Sequence, residues 1–250
     1  LEPFGVKRTH IETEAAKLAY DARDRFIADF DYTDRLAYMI SIDVAKKLAT
    51  LIDPLKATYF KEQTLGSIHK DTVYLTVVDK DQMAVSMIYS IFHSFGSGMA
   101  SKKFGINFQN RGAGFTLERG HPNEAAGFKR PMHTIIPGIL RQSDKFTMPF
   151  GVMGGAYQPN GHVRYMSNLV DFDMNIQEAI DGPRSFYDNG DLMLERGYTN
   201  LVRDGLKNMG HKVEVPNSPI GGGQAIKINW ELGVLEGASD PRKDGCAIGY

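Results

Sequence analysis

The sequence predicts an α+β fold in which helices and sheets form separate layers. Helix-forming patterns fill residues 11–53, and from Thr72 onward the chain changes to β-branched and aromatic runs separated by glycine-rich turns. Helical patterns return over residues 161–210, and strand patterns come after them. An order of helices, strands, helices and strands is typical of layered α+β proteins. The 250 residues, 42% of them hydrophobic, suffice for one large domain or two small ones with a real core.

Two helices are predicted first. Residues 11–30 place small and apolar side chains at roughly helical spacing. Residues 41–53 form the second helical pattern, in which Ser41 is a suitable N-cap and Pro54 stops the helix.

A β-hairpin is predicted in the middle of the chain. Residues 72–79 and 83–89 are strand-like runs, and the polar residues 80–82 between them suit a turn. The preceding residues 59–71 show no clear periodicity, and residues 112–131 are typical of a loop.

The second half of the chain continues the alternation. Asn189-Gly190 predicts a type I′ hairpin turn, and Thr199 is a suitable cap for the last helix. The predicted elements are strands at 133–140 and 145–155, helices at 161–172 and 174–181, a hairpin at 185–195, a helix at 198–210, and strands from 211 onward. In the helix at 161–172, one apolar stripe is expected, formed by Val163, Met166, Leu169 and Val170.

The composition excludes several classes of protein. A net charge of −1 provides no basic surface for nucleic acid or anionic lipid. No apolar run approaches the roughly 18 residues of a membrane span, so a soluble protein is expected. The first residues carry no secretory signal, but the chain opens at Leu1 without an initiator methionine. The compartment, cytoplasmic or periplasmic/extracellular, therefore stays open.

The sequence gives little support for a metal site or for thiol chemistry. The seven histidines lack the spacing of known metal motifs, so we expect no metal and no cofactor. The single cysteine, Cys246, cannot form an intrachain disulfide and is expected to be a small buried hydrophobe.

Thr72, the first residue of the predicted hairpin, is a candidate nucleophile. A threonine at a strand start is usually only a strand residue. If the bond between Asp71 and Thr72 is cut, however, the Thr72 hydroxyl becomes a nucleophile whose base is its own α-amine. The pKa of a free α-amine is about 7.7–8.0, so it can accept the proton near neutral pH.

The glycine pairs beside the strands have two interpretations. Tight turns are the simpler one. The other is close backbone approach to a ligand, with free N–H groups that face an oxyanion.

An ordered set of motifs resembles the γ-glutamyltranspeptidase family of self-processing N-terminal-nucleophile hydrolases. In chain order the motifs are DTVYLTVVDKD, SFGSGMASKKFGINFQNRGAGF, KRPMHTIIPGIL, GVMGGAYQPNGHV, DGPR, GGGQAI and DPRKDGCAIGY. The resemblance covers essentially the whole chain and implies a four-layer αββα sandwich. It implies that residues 1–71 are the C-terminal part of the large subunit, that residues 72–250 are the small catalytic subunit, and that together they form one domain. The partners would be the remainder of the large subunit in a heterodimer, which the family precedent allows to double, and a small acyl amide substrate.

The resemblance also assigns roles. Thr72 corresponds to the nucleophile, with Asp71–Thr72 as the processing bond. Ser90 corresponds to a supporting hydroxyl, and Gly154 and Gly155 to the oxyanion hole.

The departures from the family pattern concern the substrate pocket. Phe92 stands where transpeptidases carry an asparagine. The Asp-Asp pair with which transpeptidases bind the α-amino group of the glutamyl substrate falls at Ala113-Gly114, and their Ser-Ser pair falls at His133-Thr134. The lid segment, Phe115 to Lys129, is short. A buried ammonium without its carboxylate is costly, so we expect an ordinary γ-glutamyl group to bind poorly.

These departures resemble the cephalosporin-acylase-like branch, whose substrates carry a dicarboxylic acyl group. Arg111 would then contact the distal carboxylate, or alternatively hold its glycine loop by a salt bridge, with His133 and Thr134 as further substrate-binding positions. Two hypotheses remain from the sequence: a self-processing amidohydrolase or acyltransferase, and a non-catalytic binding or assembly module with the same fold.

Overall fold

The computed structural model describes residues 1–59 and 70–249. The processing segment directly before Lys70 lies outside the described residues. The α-helices are α1 (Val6–Phe26), α2 (Leu36–Met39), α3 (Ile42–Ala49), α4 (Gln158–Val170), α5 (Ile176–Asp181) and α6 (Asn200–Asn208). The strands are β1 (Lys70–Val78), β2 (Ala84–His93), β3 (Gly138–Gln142), β4 (Phe146–Met153), β5 (Ser185–Asp188), β6 (Asp191–Leu194), β7 (Val213–Glu214), β8 (Gly222–Asn229) and β9 (Val234–Ser239). The predicted α+β class is confirmed.

Residue contacts divide the chain into two compact units. Unit 1 comprises Leu1–Ser67, Asn110–His133 and Ser185–Pro216. Unit 2 comprises Ile68–Gln109, Thr134–Arg184 and Asn217–Tyr250. The predicted division into subunits at residue 71 concerns chain cleavage and stays a prediction.

Unit 2 contains three of the layers that an αββα sandwich requires. Its central sheet has the order β3-β4-β8-β9, and β1 and β2 form a separate two-stranded antiparallel sheet. Met148 and Phe150 of β4 point towards α4 and α5 and build the core there. Side chains alternate along a strand, so Gly151 lies on the opposite face, where it meets Tyr74 of β1. Unit 2 is therefore layered as helix, sheet and sheet.

Unit 1 packs helices against the small sheet β5-β6-β7. Its core consists of buried side chains from β6, α6 and the turn between them: Leu192, Leu194, Tyr198, Val202 and Leu206. Asn189 and Gly190 have φ of 49° and 85°, which confirms the predicted I′ turn. The Thr199 side chain caps α6 by accepting a hydrogen bond from Val202 N.

Some predicted boundaries were wrong. β3 begins at Gly138 and not at residue 133, because Pro137 has no N–H to donate to a ladder. The first helix runs from Val6 to Phe26 and not over 11–30. The second spans only Ile42–Ala49, and the Ser41 side chain makes no capping hydrogen bond.

Two predictions about burial were also wrong. In α4 the side chains of Val163 and Val170 are exposed, and the buried face carries Arg164, Tyr165 and Asn168 instead. Cys246 is exposed and not buried.

The buried face of α1 is polar, which the apolar spacing did not predict. Its buried side chains are Arg8, Thr9, His10, Thr13, Glu14 and Lys17. Lys17 Nζ lies 2.6 Å from Glu14 Oε1 and donates to the carbonyl of Thr58 at 2.8 Å, and Thr58 N donates to Glu14 Oε2 at 3.0 Å. These polar groups form hydrogen bonds with one another and with the backbone of Thr58. This is why a polar helix face can be buried.

A histidine pair extends this buried cluster. His10 Nε2 lies 2.8 Å from the Asp53 carbonyl, which can only accept, so this nitrogen carries the proton. His10 Nδ1 then accepts from His211 Nε2 at 2.8 Å. In this chain of hydrogen bonds His211 Nε2 is the donor, and burial, Lys17 and His10 lower the pKa of His211 to about 4, so its second ring nitrogen carries no proton at neutral pH.

We predict that the protein loses stability on acidification between pH 6.5 and 4. Burial also lowers the pKa of His162 to about 4, and its Nε2 accepts from Val152 N. A histidine whose folded pKa lies below its unfolded value of about 6.5 stabilises the fold fully above that pH. This contribution is lost as the pH falls towards 4, by at most about 1.4 kcal/mol per pH unit per histidine.

Urea denaturation at pH 7, 6 and 5 measures this effect. Replacing His211→Gln should flatten the dependence of the unfolding free energy on pH, whereas His133→Gln, at an exposed position, should leave it unchanged. An unfolding free energy that stays constant from pH 7 to 5 would contradict the assignment.

Candidate active site

Thr72 and Ser90 form a hydrogen-bonded pair at one end of the hairpin β1–β2. They are cross-strand partners, and Thr72 Oγ1 donates to Ser90 Oγ at 3.0 Å. Both residues are half-buried. Ser90 Oγ also accepts the backbone N–H of Phe92 at 3.1 Å. The structure thus brings together two hydroxyl residues that the sequence places 18 positions apart.

Gly154 and Gly155 lie at the end of β4, directly before α4. Their φ angles are 137° and 57°, in the region that favours glycine. A short 3-10 helix, Gly155–Tyr157, connects them to the N-terminus of the 13-residue helix α4. The positive end of the α4 dipole lies at this connection and favours negative charge nearby. The glycine pair therefore lies between the end of β4 and the positive end of the α4 dipole.

The contact between Tyr74 and Gly151 packs β1, which carries Thr72, against β4, which leads to the glycine pair. A Cβ at Gly151 would lie 2.4 Å from the Tyr74 ring, so only glycine allows this approach. Thr72 is two residues before Tyr74 on the same face of β1, and Gly154 is three residues beyond Gly151. Thr72, Ser90, Gly154 and Gly155 all belong to unit 2.

The loop of Arg111 belongs to unit 1 and is held by a buried asparagine. Asn123 Nδ2 donates to the Gly114 carbonyl at 2.6 Å, and Asn123 Oδ1 accepts from Met132 N at 2.9 Å. A Cβ at Gly114 would lie 3.1 Å from the Met132 carbonyl oxygen. Arg111 begins a 3-10 turn, Arg111–Gly114, and partial burial lowers the pKa of its guanidinium. No sequence signal indicated the role of Asn123.

The other predicted substrate-binding positions differ in exposure. His133 is exposed and belongs to unit 1, whereas Thr134 is buried and belongs to unit 2. The family resemblance grouped them because they stand where transpeptidases carry a serine pair.

One group of residues in the described part of the chain has metal-ligand chemistry. Atoms of His10, Glu14 and His211 lie within 4.8 Å of one another and are buried. The Lys17 ammonium already pairs with Glu14 there, and the two histidines bond to each other. The cluster therefore serves as an internal polar anchor, and the separation of 201 residues between its histidines hid it from motif analysis.

Comparison with known proteins identifies the family. The family model described as gamma-glutamyltranspeptidase matches residues 2–250. The chain belongs to the γ-glutamyltranspeptidase family.

Relatives in this family carry enzymatic names. The chain is 34% identical over 250 residues to a glutathione hydrolase-like proenzyme of Bacillus subtilis. This alignment covers 96% of this chain and 47% of the relative. The chain is 35% identical over 251 residues to the oxamate amidohydrolase proenzyme of Klebsiella pneumoniae, again covering 96% of this chain and 47% of the relative. The chain thus spans about half the length of these γ-glutamyltranspeptidase relatives.

A solved structure agrees with the fold. Cephalosporin acylase from Bacillus halodurans superposes with a TM-score of 0.88 at 34% identity, over 98% of this chain and 46% of that chain. This match confirms the predicted α+β fold of the N-terminal-nucleophile hydrolase type and the resemblance to the acylase branch of the γ-glutamyltranspeptidase family. Among the helices described, none has the length and apolarity to cross a membrane.

We predict that Gly154→Ala destabilises the protein by about 1–3 kcal/mol, because alanine is strained at this backbone conformation. Its Cβ would also lie 3.0 Å from Gly221 Cα and 3.3 Å from the Tyr157 ring. Urea denaturation measures the loss. Gly98→Ala is the matched control, since Gly98 has a φ of 72° but open space around it. Equal losses at both positions would show that crowding at Gly154 is unimportant.

Proposed function

We propose that this chain carries the catalytic centre of a self-processing amidohydrolase or acyltransferase with Thr72 as nucleophile. The observation that carries the proposal is the hydrogen bond from Thr72 Oγ1 to Ser90 Oγ, at 3.0 Å, at a predicted processing bond. Ser90 holds the reactive hydroxyl in one orientation. The chain's membership in a family of proenzymes supports the same conclusion.

Self-processing is an intramolecular acyl shift. Thr72 Oγ1 attacks the carbonyl carbon of Asp71, the bond from that carbon to Thr72 N breaks, and the hydroxyl proton passes to the released amine. Water then hydrolyses the ester, which leaves a carboxylate on Asp71 and a free amine on Thr72. The new amine is the base of the mature enzyme.

Turnover of an external amide uses the same chemistry. Thr72 Oγ1 attacks the amide carbonyl, its proton moves by way of the α-amine to the leaving amine, and an acyl-enzyme forms. The N–H groups of Gly154 and Gly155 stabilise the oxyanion, a contribution worth about 100- to 1,000-fold in rate for one donor. Water or a second amine releases the acyl group.

The substrate proposed is an amide of a dicarboxylic or γ-glutamyl-related acyl group, with Arg111 binding the distal carboxylate. The position that corresponds to the second acidic residue of transpeptidases is Gly114, where a side chain would press on Met132. Asn123 holds the Met132 backbone in place, so an acidic side chain at position 114 would be crowded here. The same loop carries the Arg111 guanidinium, whose charge and planar shape suit a carboxylate.

The outer face of the hairpin supports a heterodimer with the remainder of a large subunit. Three cross-strand pairs are apolar and 41–60% exposed: Val73 with Tyr89, Leu75 with Met87, and Val77 with Val85. An exposed, contiguous apolar sheet face is typical of an interaction surface. We propose that the other half of the length seen in the relatives covers this face.

The non-catalytic alternative is not favoured. The relatives described above are named as a hydrolase and an amidohydrolase, and the proposed nucleophile and its supporting hydroxyl are both present and hydrogen-bonded.

We predict that Thr72→Ala abolishes both processing and turnover, because no nucleophile remains. Intact mass spectrometry of the protein expressed from its complete gene measures processing as a fragment that starts at Thr72. The control is Thr76→Ala, on the same face of β1, whose hydroxyl donates to the Val85 carbonyl. Cleavage between residues 71 and 72 in the Thr72→Ala protein would contradict the proposal that Thr72 is the nucleophile.

We predict that the processed protein hydrolyses glutaryl anilides faster than γ-glutamyl anilides, since no acidic pair binds the α-ammonium. Arg111→Gln should raise KM for glutaryl substrates by about 10- to 100-fold, the loss of one charge-assisted contact of about 1.5–3 kcal/mol. It should leave an uncharged acyl anilide unaffected. An equal effect on charged and uncharged substrates would assign Arg111 to loop structure only.

A further inference from the structure

The strand pairing contains an irregularity opposite the proposed processing bond. Lys70 pairs with His93 and Thr72 pairs with Ser90, so two residues of β2, Ile91 and Phe92, stand opposite the single residue Asp71. This is the geometry of a β-bulge, in which one strand carries an extra residue that re-aims its neighbours.

Phe92 adopts a left-handed backbone conformation in this bulge, with a φ of 78°. Such a conformation is a genuine outlier for a bulky side chain and persists only where its surroundings enforce it. Strain of this kind concentrates at functional sites. Phe92 lies two residues beyond Ser90, so its backbone conformation can determine how the Ser90 side chain is held.

The bulge places the peptide plane between Ile91 and Phe92 so that the Phe92 N–H donates back to the Ser90 side chain, and the left-handed φ of Phe92 then returns the chain to its pairing at His93. Ser90 Oγ accepts this N–H at 3.1 Å and the Thr72 hydroxyl at 3.0 Å. A hydroxyl oxygen has two lone pairs, so the two donors together fix the rotamer of Ser90. Without the backbone donor, Ser90 Oγ would be free to rotate away from Thr72.

We propose that Phe92 is a positioning residue for the nucleophile, and that it acts through its left-handed backbone and not through its ring. The ring stacks on its chain neighbour His93, with centroids 4.5 Å apart and planes at 18°. In this stacking the ring contacts its neighbour His93, whereas the backbone N–H of Phe92 contacts Ser90, the hydrogen-bond partner of Thr72. This inference rests on the proposed self-processing by Thr72.

A substitution series at position 92 separates backbone from ring. Glycine and asparagine accept a positive φ, valine resists it, and tyrosine preserves the ring. The processing rate, measured by intact mass during refolding of the full-length protein, should stay within about threefold for Phe92→Gly and Phe92→Asn. Phe92→Val should slow it by about 10- to 100-fold, the factor that corresponds to the strain of one disfavoured backbone conformation.

Phe95 provides a matched control. It is also a phenylalanine at positive φ, 58°, three residues further on, and its side chain is exposed. Phe95→Val should lower the urea midpoint as Phe92→Val does but leave the processing rate unchanged. A slow Phe95→Val protein would show that the rate depends on stability alone, and this would overturn the inference. Loss of rate in Phe92→Gly and Phe92→Asn with retention in Phe92→Tyr would overturn it in favour of the ring.

A double-mutant cycle tests the link without relying on cleavage. In the uncleaved Thr72→Ala protein, the shift in urea midpoint caused by Phe92→Val should shrink when Ser90→Ala is also present, because the shared hydrogen bond is already gone. The same cycle between Phe95→Val and Ser90→Ala should be additive. Additivity at position 92 would overturn the inference, whereas absence of cleavage in the wild-type protein would overturn the proposed function and leave this cycle interpretable.

Discussion

The contact of Tyr74 with Gly151 is the constraint on which the candidate site depends. It is the point at which the hairpin β1–β2 packs on the central sheet, and it leaves no room for a Cβ at Gly151. Ser86 reinforces it by bonding both the Tyr74 hydroxyl, at 2.8 Å, and the Phe150 carbonyl, at 3.3 Å. Because strands are stiff and pleated, this one close approach determines where the residues two or three positions away can lie. Thr72 and Gly154 both fall within that range.

A second constraint operates in unit 1, where a polar helix face is buried. Burial of Lys17 and Glu14 is tolerated because each is paired and both bond to the chain at Thr58. The arrangement contributes little as an ion pair alone, since desolvation offsets the attraction. Its physical consequence is that the irregular chain near Asp53 and Thr58 is held against α1 by hydrogen bonds to buried side chains. The histidine pair adds a further buried hydrogen bond, and His211 adds a dependence on pH.

Features that depend on short-range rules could be predicted from the sequence. The hairpin, the Asn189-Gly190 turn and the Thr199 cap are determined by the residues at those positions, and the structure has all three. The polar buried face of α1 could not be predicted, since His211, the partner of His10, is 201 residues away. At the site, the glycine pair and Thr72 were identified through their motifs. Asn123 and the bulge at Phe92 were missed because a single asparagine or phenylalanine carries no signal of its backbone surroundings.

Several residues with positive φ belong to the glycine pair, its neighbour Gly221 and the bulge in unit 2. Gly154, Gly155 and Gly221 all have positive φ, and a Cβ on Gly154 would lie 3.0 Å from Gly221 Cα. Glycine removes the steric penalty at these three positions, whereas Phe92 retains it. The difference is informative: a glycine at position 92 would be less strained but would give the unfolded and precursor chains more freedom. The contact to Ser90 Oγ comes from the backbone N–H of the bulge and not from the side chain at position 92, and it orients a nucleophile that must first attack its own chain.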